Sequence, residues 1–236
     1  MSAAADAPRA VLFDLDGTLL DTAQDLSDAL NALRGEQGLD PLDFVRVRTF
    51  VSHGSSALVR IAFPQAPEPK FLSLRDRLLE LYGAALAVHT RPFAGVPQLL
   101  AYLERAGLPW GVVTNKPAHL TEPLLEALAL RRRAAAVVSG DTLPERKPHP
   151  RPLLFAAEQL GVAPAACVYV GDAERDVLAA RAAGMRAVVA CFGYIGPSDT
   201  PRQWPADAWL EAPEELIAYL ESSRERTAAA ERGASR

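Results

Sequence analysis

The stretch Ala10-Val11-Leu12-Phe13-Asp14-Leu15-Asp16-Gly17-Thr18 decides how the rest of the 236-residue chain is read. Its first four residues are an apolar run with a β-branched and an aromatic member, the pattern of a strand covered on both faces. The run ends abruptly in two carboxylates. In open α/β folds ligands bind at the carboxyl edge of the parallel strands, where Asp14 and Asp16 would stand. Alternation along an extended chain would turn both the same way, with Leu15 aside. Carboxylates so close repel, and a cation or a shared proton relieves the repulsion. Gly17 permits a sharp turn and a close backbone approach to a ligand, and Thr18 adds a hydroxyl. An EF-hand loop is excluded, because Leu19, Leu20 and Thr22 follow where oxygen ligands are needed and no Glu closes it. Alone, the stretch is equally compatible with a solvated turn held by its Asp side chains.

Downstream, the chain turns helical before it returns to strands. Thr22 is placed as an N-cap with Asp25 three residues on, and Leu26, Leu30 and Leu33 recur at helical spacing up to about Gln37. Pro41 is expected to open a second helix, and Val51-Ser52-His53-Gly54-Ser55-Ser56 reads as a polar loop. Residues 57–62 and 71–88 resume helical periodicity. No strand pattern occurs between about residue 22 and residue 90. Such an insert, re-entering at Arg91-Pro92-Phe93, predicts a helical cap on two adjacent linkers. Strands and helices then alternate. Strands are expected at 110–114, 136–138, 167–170, 187–190 and 208–210, with helices at 96–105, 120–130, 152–160, 176–183 and 213–220. Alternation of this kind implies a parallel sheet covered on both faces by helices, an α/β fold. The charged, Ala-rich residues 221–236 lack an apolar face and are expected to fray or stay disordered.

Composition narrows the function. Hydrophobic residues make up 49% and charged residues 23%, enough apolar material for a sizeable core. The net charge is −4, and no basic cluster exceeds Arg131-Arg132-Arg133, which argues against a nucleic-acid binder. Cys167 and Cys191 lie in separate apolar runs, too isolated for a zinc site and suited to a reducing cytosol. Met1 to Pro8 has neither the basic start nor the apolar core of a signal peptide, and no apolar run reaches membrane-spanning length. A cytoplasmic protein without membrane or nucleic-acid partners, monomeric or homodimeric, is expected.

The residues immediately after each strand converge. The first strand ends in Asp14-Leu15-Asp16, the second in Thr114-Asn115-Lys116. The third is followed by Gly140-Asp141 and then Arg146-Lys147-Pro148, and the fourth ends in Gly171-Asp172 with Asp176 four residues on. In a parallel sheet these ends meet at one edge. A phosphoryl group needs donors on its oxygens, and Thr114, Asn115, Lys147 and the amides from Leu15 to Thr18 could supply them. A hard cation such as Mg²⁺ needs oxygen ligands, for which Asp14, the carbonyl of Asp16, Asp172 and Asp176 are candidates. Four aspartates against Lys147 leave an imbalance that a divalent metal would relieve. One carboxylate could then attack phosphorus while another moves the proton. Taken singly, Thr114-Asn115 could be a helix cap, Lys147 a surface lysine and Asp176 a helix-start acid. His53 either reaches a substrate group from the insert or faces water.

This set, Asp14-x-Asp16-Gly17-Thr18, then Thr114, Lys147 and Gly171-Asp172-x-x-x-Asp176, resembles the haloacid dehalogenase superfamily over residues 9–220. The resemblance implies a Rossmann-like core, residues 1–20 and 92–222, with a small α-helical cap domain at residues 21–91. It implies that Asp14 becomes an aspartyl-phosphate and that Asp16 protonates the leaving oxygen and then activates water. Thr114 and Lys147 match phosphate-binding positions, and Asp172 and Asp176 match magnesium positions. P-type ATPases carry Lys where Asp16 stands and dehalogenases lack the second Asp, so the resemblance implies a phosphatase or phosphomutase acting on a small phosphorylated metabolite. Within the family, residues 51–54, 115–117 and 145–148 look most like bacterial phosphoglycolate phosphatases. The segments 193–196 and 204–207 also resemble N-acetylmuramic acid 6-phosphate phosphatases. Outside catalysis, the alternative is a regulatory binding protein on the same scaffold.

Overall fold

The structure, a computed structural model, describes residues 7–234. The expectations for Met1 to Asp6 and for Ser235 and Arg236 lie outside the described residues. Strand β1 (Ala10–Phe13) is buried along its whole length. It leads through a tight turn to the short β2 (Leu20–Asp21). Helices α1 (Ala23–Glu36), α2 (Phe44–Arg48), α3 (Gly54–Ala62) and α4 (Glu68–Ala84) come next, before the short β3 (Arg91–Pro92). Thereafter α5 (Val96–Arg105), β4 (Trp110–Val113), α6 (Ala118–Ala127), β5 (Ala136–Val138) and α7 (Arg151–Leu160) alternate. The chain continues with β6 (Cys167–Gly171), α8 (Glu174–Ala182), β7 (Arg186–Ala190), β8 (Ala208–Leu210) and α9 (Glu215–Ala234).

Among the described residues the main sheet runs β5-β4-β1-β6-β7-β8, every neighbouring pair parallel. After β5 the chain crosses back over β1 to build β6 on its other side, so β1 lies where the direction of winding reverses, the place such sheets keep for ligands. Alternation along β1 sends Val11 and Phe13 to one face, packed with residues of α5, α6 and α9. Ala10 and Leu12 point to the other face, with residues of α7 and α8. The strands read as continuous apolar runs because both faces are covered. No helix among the described residues is long and apolar enough to cross a membrane.

The insert has its own apolar cluster, built on Leu30, Leu33, Leu58, Phe71, Leu78 and Tyr82. Its two linkers pair as antiparallel β2 and β3, Leu20 opposite Pro92 and Asp21 opposite Arg91, as the adjacent re-entry point predicts. Several local expectations change. Thr22 does not cap α1 with its side chain; its Oγ1 donates to Asp16 Oδ1 at 2.7 Å. The helix-start amides of Thr22 and Ala23 instead donate to the Tyr194 hydroxyl, at 2.6 and 2.9 Å. Asp25 turns to the returning linker, accepting from His89 N, Thr90 N and Thr90 Oγ1. The second helix starts at Phe44, with Asp43 accepting from Val45 N, and not at Pro41. Residues 51–53 form a 3₁₀ turn leading into α3, with Val51 and Ser52 buried where a polar loop was expected. Helix α9 continues past Glu221 to Ala234, so helix stands where the tail from residue 221 was expected to fray or stay disordered. High alanine propensity and the Thr227 Oγ1 to Ser223 carbonyl bond favour that continuation.

Asp25 thus ties the start of the insert to its end through three hydrogen bonds from a buried position. Asp25→Ala leaves those donors unsatisfied and should lower stability by roughly 2 kcal/mol. Urea denaturation checks this, and a loss under about 0.5 kcal/mol would show that the linkers hold together without it.

Candidate active site

The sheet edge gathers the residues at the ends of β1, β4 and β6. Asp14 directly follows β1, its amide donating to Val170 O at 2.8 Å. The chain turns at once, so Asp14 and Asp16 meet different partners while lining one cavity of about 190 Å³. Gly17 makes this turn possible: it sits at φ +81°, and a Cβ there would come within 2.0 Å of Asp172 Oδ2.

Against the cavity lies a buried cluster. Lys147 Nζ sits 2.9 Å from Asp14 Oδ1, 2.8 Å from Asp176 Oδ1 and 2.7 Å from the Tyr169 hydroxyl, with a side-chain exposure of 0%. The Tyr169 hydroxyl in turn donates to Val113 O at 2.8 Å. Asp176 Oδ2 also accepts from Ala173 N at the start of α8, so this aspartate serves the helix and the cluster together. Ligand atoms of Asp14, Asp172 and Asp176 all lie within 4.8 Å of one another. Burial, with Asp14 and Asp176 adding like charge, pushes the Asp172 carboxyl up to about 7 despite hydrogen bonds from Ser52 and Tyr194. Burial also raises Asp176, opposed by Lys147. Asp172 Oδ1 is buried with no hydrogen-bond partner among the described residues. Three crowded, buried carboxylates with an unpartnered oxygen fit a hard divalent cation, whose ligands are oxygens.

On the open side, Lys116 Nζ lies 2.9 and 3.2 Å from the two oxygens of Asp16, and Thr22 Oγ1 donates to the same carboxylate. Burial pulls the Lys116 ammonium down, but the Asp16 carboxylate and the Tyr82 phenol outweigh it and hold it above its ordinary value. Arg175 faces the acidic cluster; burial opposes its charge, and Asp176, Asp14 and Asp172 more than compensate. Its guanidinium donates to Ser52 O, and Ser52 Oγ donates to Asp172 Oδ2 at 2.5 Å. The count of four aspartates against Lys147 is therefore corrected: Lys116 and Arg175 also compensate. The insert, through Ser52, touches the cluster directly.

The predicted site residues divide into distinct places. Asp14, Asp16, Thr114, Asn115 and His53 line the cavity. Lys147, Asp172 and Asp176 lie beneath it, in the buried cluster. Asp16 directs its carboxylate to Lys116, outside the group of Asp14, Asp172 and Asp176. Both ends of the Asn115 amide are engaged with the backbone of Lys147, at 3.0 and 3.1 Å, so it positions that lysine instead of presenting free donors. The amides of Leu15, Gly17 and Thr18 donate to Asp14 Oδ1, Leu20 O and Leu15 O, which withdraws them from the expected phosphate donors. Thr18 turns to a small apolar cavity with Phe13, Val96 and Leu99. His53, 40% exposed, has Nε2 3.9 Å from Asp199 Oδ2 and its ring edge-on to Phe50. Sequence reasoning missed Lys116, Arg175, Ser52, Tyr169 and Tyr194. Lys116 stood in the strand-end triplet with Thr114, Ser52 in the loop beside His53, Arg175 next to Asp176 and Tyr194 in the segment 193–196, but none was given a role.

Lys147 is held wholly by buried acceptors, so Lys147→Met leaves Asp14 and Asp176 facing each other uncompensated. Denaturant unfolding at neutral pH should show a loss of roughly 3 kcal/mol or more. A change below about 1 kcal/mol would mean that the aspartates do not need this cation.

Comparison with known proteins agrees with the geometry. The family model for haloacid dehalogenase-like hydrolase matches residues 11–190. The chain is 48% identical over 209 residues to the phosphoglycolate phosphatase of Xanthomonas campestris pv. campestris, covering 89% of this chain and 95% of that protein. It is 44% identical over 214 residues to the N-acetylmuramic acid 6-phosphate phosphatase of Pseudomonas aeruginosa, covering 90% and 95%. The crystal structure of a predicted phosphoglycolate phosphatase from Haemophilus somnus superposes with a TM-score of 0.81 at 27% identity, covering 90% and 97%. From β1 to β7, and with Asp14 at the head of its sheet edge, the chain belongs to the haloacid dehalogenase-like hydrolases.

Proposed function

We propose that this chain is a phosphomonoester hydrolase that works through an aspartyl-phosphate on Asp14, with 2-phosphoglycolate as substrate. The observation that carries the reading is one cavity holding two carboxylates in different environments. Asp14 is backed by the buried Lys147 cluster, and Asp16 is held toward the opening by Lys116. The 48% identical phosphoglycolate phosphatase supports the substrate.

In this reading an Asp14 carboxylate oxygen attacks phosphorus, a P–O bond to aspartate forms, and the bond to the leaving oxygen breaks. Asp16 gives that oxygen a proton, then takes one from the water that attacks the phosphoryl and frees Asp14. Lys116 and Thr22 hydrogen-bond the Asp16 carboxylate and fix where it stands at the cavity. Thr114 lines the cavity as a phosphoryl donor, and Lys147 supplies positive charge from beneath. Asp14, Asp172, Asp176 and the Asp16 carbonyl would hold Mg²⁺, which, when bound, offsets negative charge on the phosphoryl oxygens. The insert, residues 21–91, acts as a cap that excludes water, with His53 meeting the leaving group. Two free cysteines, one of them buried, suit a cytoplasmic enzyme, monomeric or homodimeric.

N-acetylmuramic acid 6-phosphate is the second candidate substrate. The 44% identical relative supports it, as does a cavity wall that includes Leu26, Leu58, Leu79, Tyr82 and Leu120, more apolar surface than a two-carbon acid can use. Phosphate release from the two compounds side by side separates them by kcat/KM.

Asp14→Asn keeps the shape of the side chain and removes the attacking charge. Turnover of the better substrate should fall by roughly a thousandfold or more while the circular dichroism spectrum is unchanged. Activity within about tenfold of the parent would contradict the covalent route.

The raised Asp172 carboxyl gives a second test. Its pKa of about 7 exceeds the unfolded value of 3.8, so in the metal-free protein this group favours folding at acid pH, and the advantage disappears as pH rises through about 7. A cation must displace that proton, so Mg²⁺ binding at pH 6 should release protons and weaken relative to pH 8. Calorimetry in buffers of different ionisation enthalpy reads the release. Proton-neutral binding at pH 6 would show that the cation displaces no proton from a raised Asp172 carboxyl.

A further inference from the structure

Tyr194 comes after β7 of the main sheet, yet its ring packs in the apolar cluster of the helical insert. Arg48 of α2 lies over that ring, Cζ 4.8 Å from the centroid, and Phe93 after β3 touches it at 6.1 Å. The phenol is saturated at the insert's first linker. It accepts from Thr22 N and Ala23 N and donates to Asp21 Oδ1 at 2.7 Å. These bonds do for α1 what a side-chain cap would do, from a residue 172 positions away. At the other end of the same residue, Tyr194 N donates to Asp172 Oδ2 at 2.9 Å. One residue therefore holds a carboxylate of the buried cluster through its backbone and the root of the insert through its side chain.

Its neighbour makes the connection stiff. A Cβ on Gly193 would stand 2.3 Å from Gly17 O and 2.5 Å from Asp172 Cβ, so the loop presses on the turn after Asp14 and on Asp172 together. Arg48 Nη1 also reaches Gly193 O from the insert, at 3.4 Å. The oxygen of Asp172 that accepts from Tyr194 N also accepts from Ser52 Oγ, while Oδ1 is buried without a hydrogen-bond partner among the described residues. Asp172 would hold the cation through the oxygen that has no partner, and its other oxygen, Oδ2, already joins the Tyr194 loop to Ser52 of the insert.

We infer that Tyr194 is a positioning residue that couples occupation of the Asp172 cation site to the seating of the helical insert. The inference rests on the reading of Asp172 as a metal ligand. Coupling of this kind is reciprocal: if the cation strengthens the bonds from the Thr22 and Ala23 amides, breaking those bonds must weaken cation binding by the same factor.

Amide exchange of the full chain, measured by NMR with and without saturating Mg²⁺, tests it alongside calorimetric Mg²⁺ titration. Mg²⁺ should slow exchange at Thr22 and Ala23 by about fivefold or more in the wild-type protein. Tyr194→Phe keeps the ring and the Asp172 contact but removes the hydroxyl. It should abolish that Mg²⁺-dependent slowing and weaken Mg²⁺ binding by a similar factor. A purely structural phenol would raise exchange in the variant equally with and without Mg²⁺. Binding to the wild-type chain with unchanged exchange at both amides overturns the coupling alone. So does a variant that binds Mg²⁺ within about twofold of the parent. Absence of Mg²⁺ binding to the wild-type chain overturns the cation site and the coupling with it.

Discussion

Asp14, Asp172 and Asp176 bring ligand oxygens within 4.8 Å of one another in a protein interior, and the sheet edge is built to tolerate that crowding. Buried like charges are destabilising unless they are paired and hydrogen-bonded. Lys147 answers for Asp14 and Asp176 from a fully buried position, itself fixed by Tyr169 and by the Asn115 amide on its backbone. Among the described residues Asp172 has no such cation in direct contact. Ser52 and Tyr194 donate to one of its oxygens, and the other is buried without a hydrogen-bond partner among the described residues. The residual repulsion is the force with which the site would draw in a metal.

The same constraint orders the parts around it. Because β1 lies between β4 and β6, Thr114 and Asp172 stand at the ends of the strands on either side of Asp14, and α8 starts close enough to add Asp176. Glycines are placed where these loops press together: Gly17 and Gly193 both abut Asp172 with no room for a side chain. The insert is not an appendage hung on two linkers. Ser52 donates to Asp172 and accepts from Arg175 across the boundary, and Tyr194 enters the insert's own apolar cluster.

Much of this was legible in the sequence because it is local. Continuous apolar runs marked the strands, and 136–138 and 208–210 coincide with β5 and β8. The residues at the strand ends pointed to Asp14, Asp16, Thr114 and Asp172 in order. The adjacent linkers of the insert were implied by a helical stretch that leaves and returns at one point. What was illegible depends on pairings across the fold. Lys116 meets Asp16 100 residues away, and Ser52 meets Asp172 120 residues away. No periodicity encodes such partners. Thr22 and Asp25 show the complementary error: a helix-start pattern was present, but tertiary partners at Asp16 and Thr90 took both side chains. The turn after β1 misled as well, since its amides bond within the turn and Thr18 faces the apolar side.

In the proposed mechanism the crowded carboxylates are one catalytic centre, with Asp14 as the attacking group and Asp172 as a holder of the metal. A crystal structure of the protein with Mg²⁺ and beryllium fluoride tests it most directly, because the fluoride complex mimics a phosphoryl group on a carboxylate. The fluoroberyllate should be bonded to Asp14, with the cation touching both Asp14 and Asp172. An adduct on Asp16 or on another residue, or a cation seated away from Asp172, would contradict it.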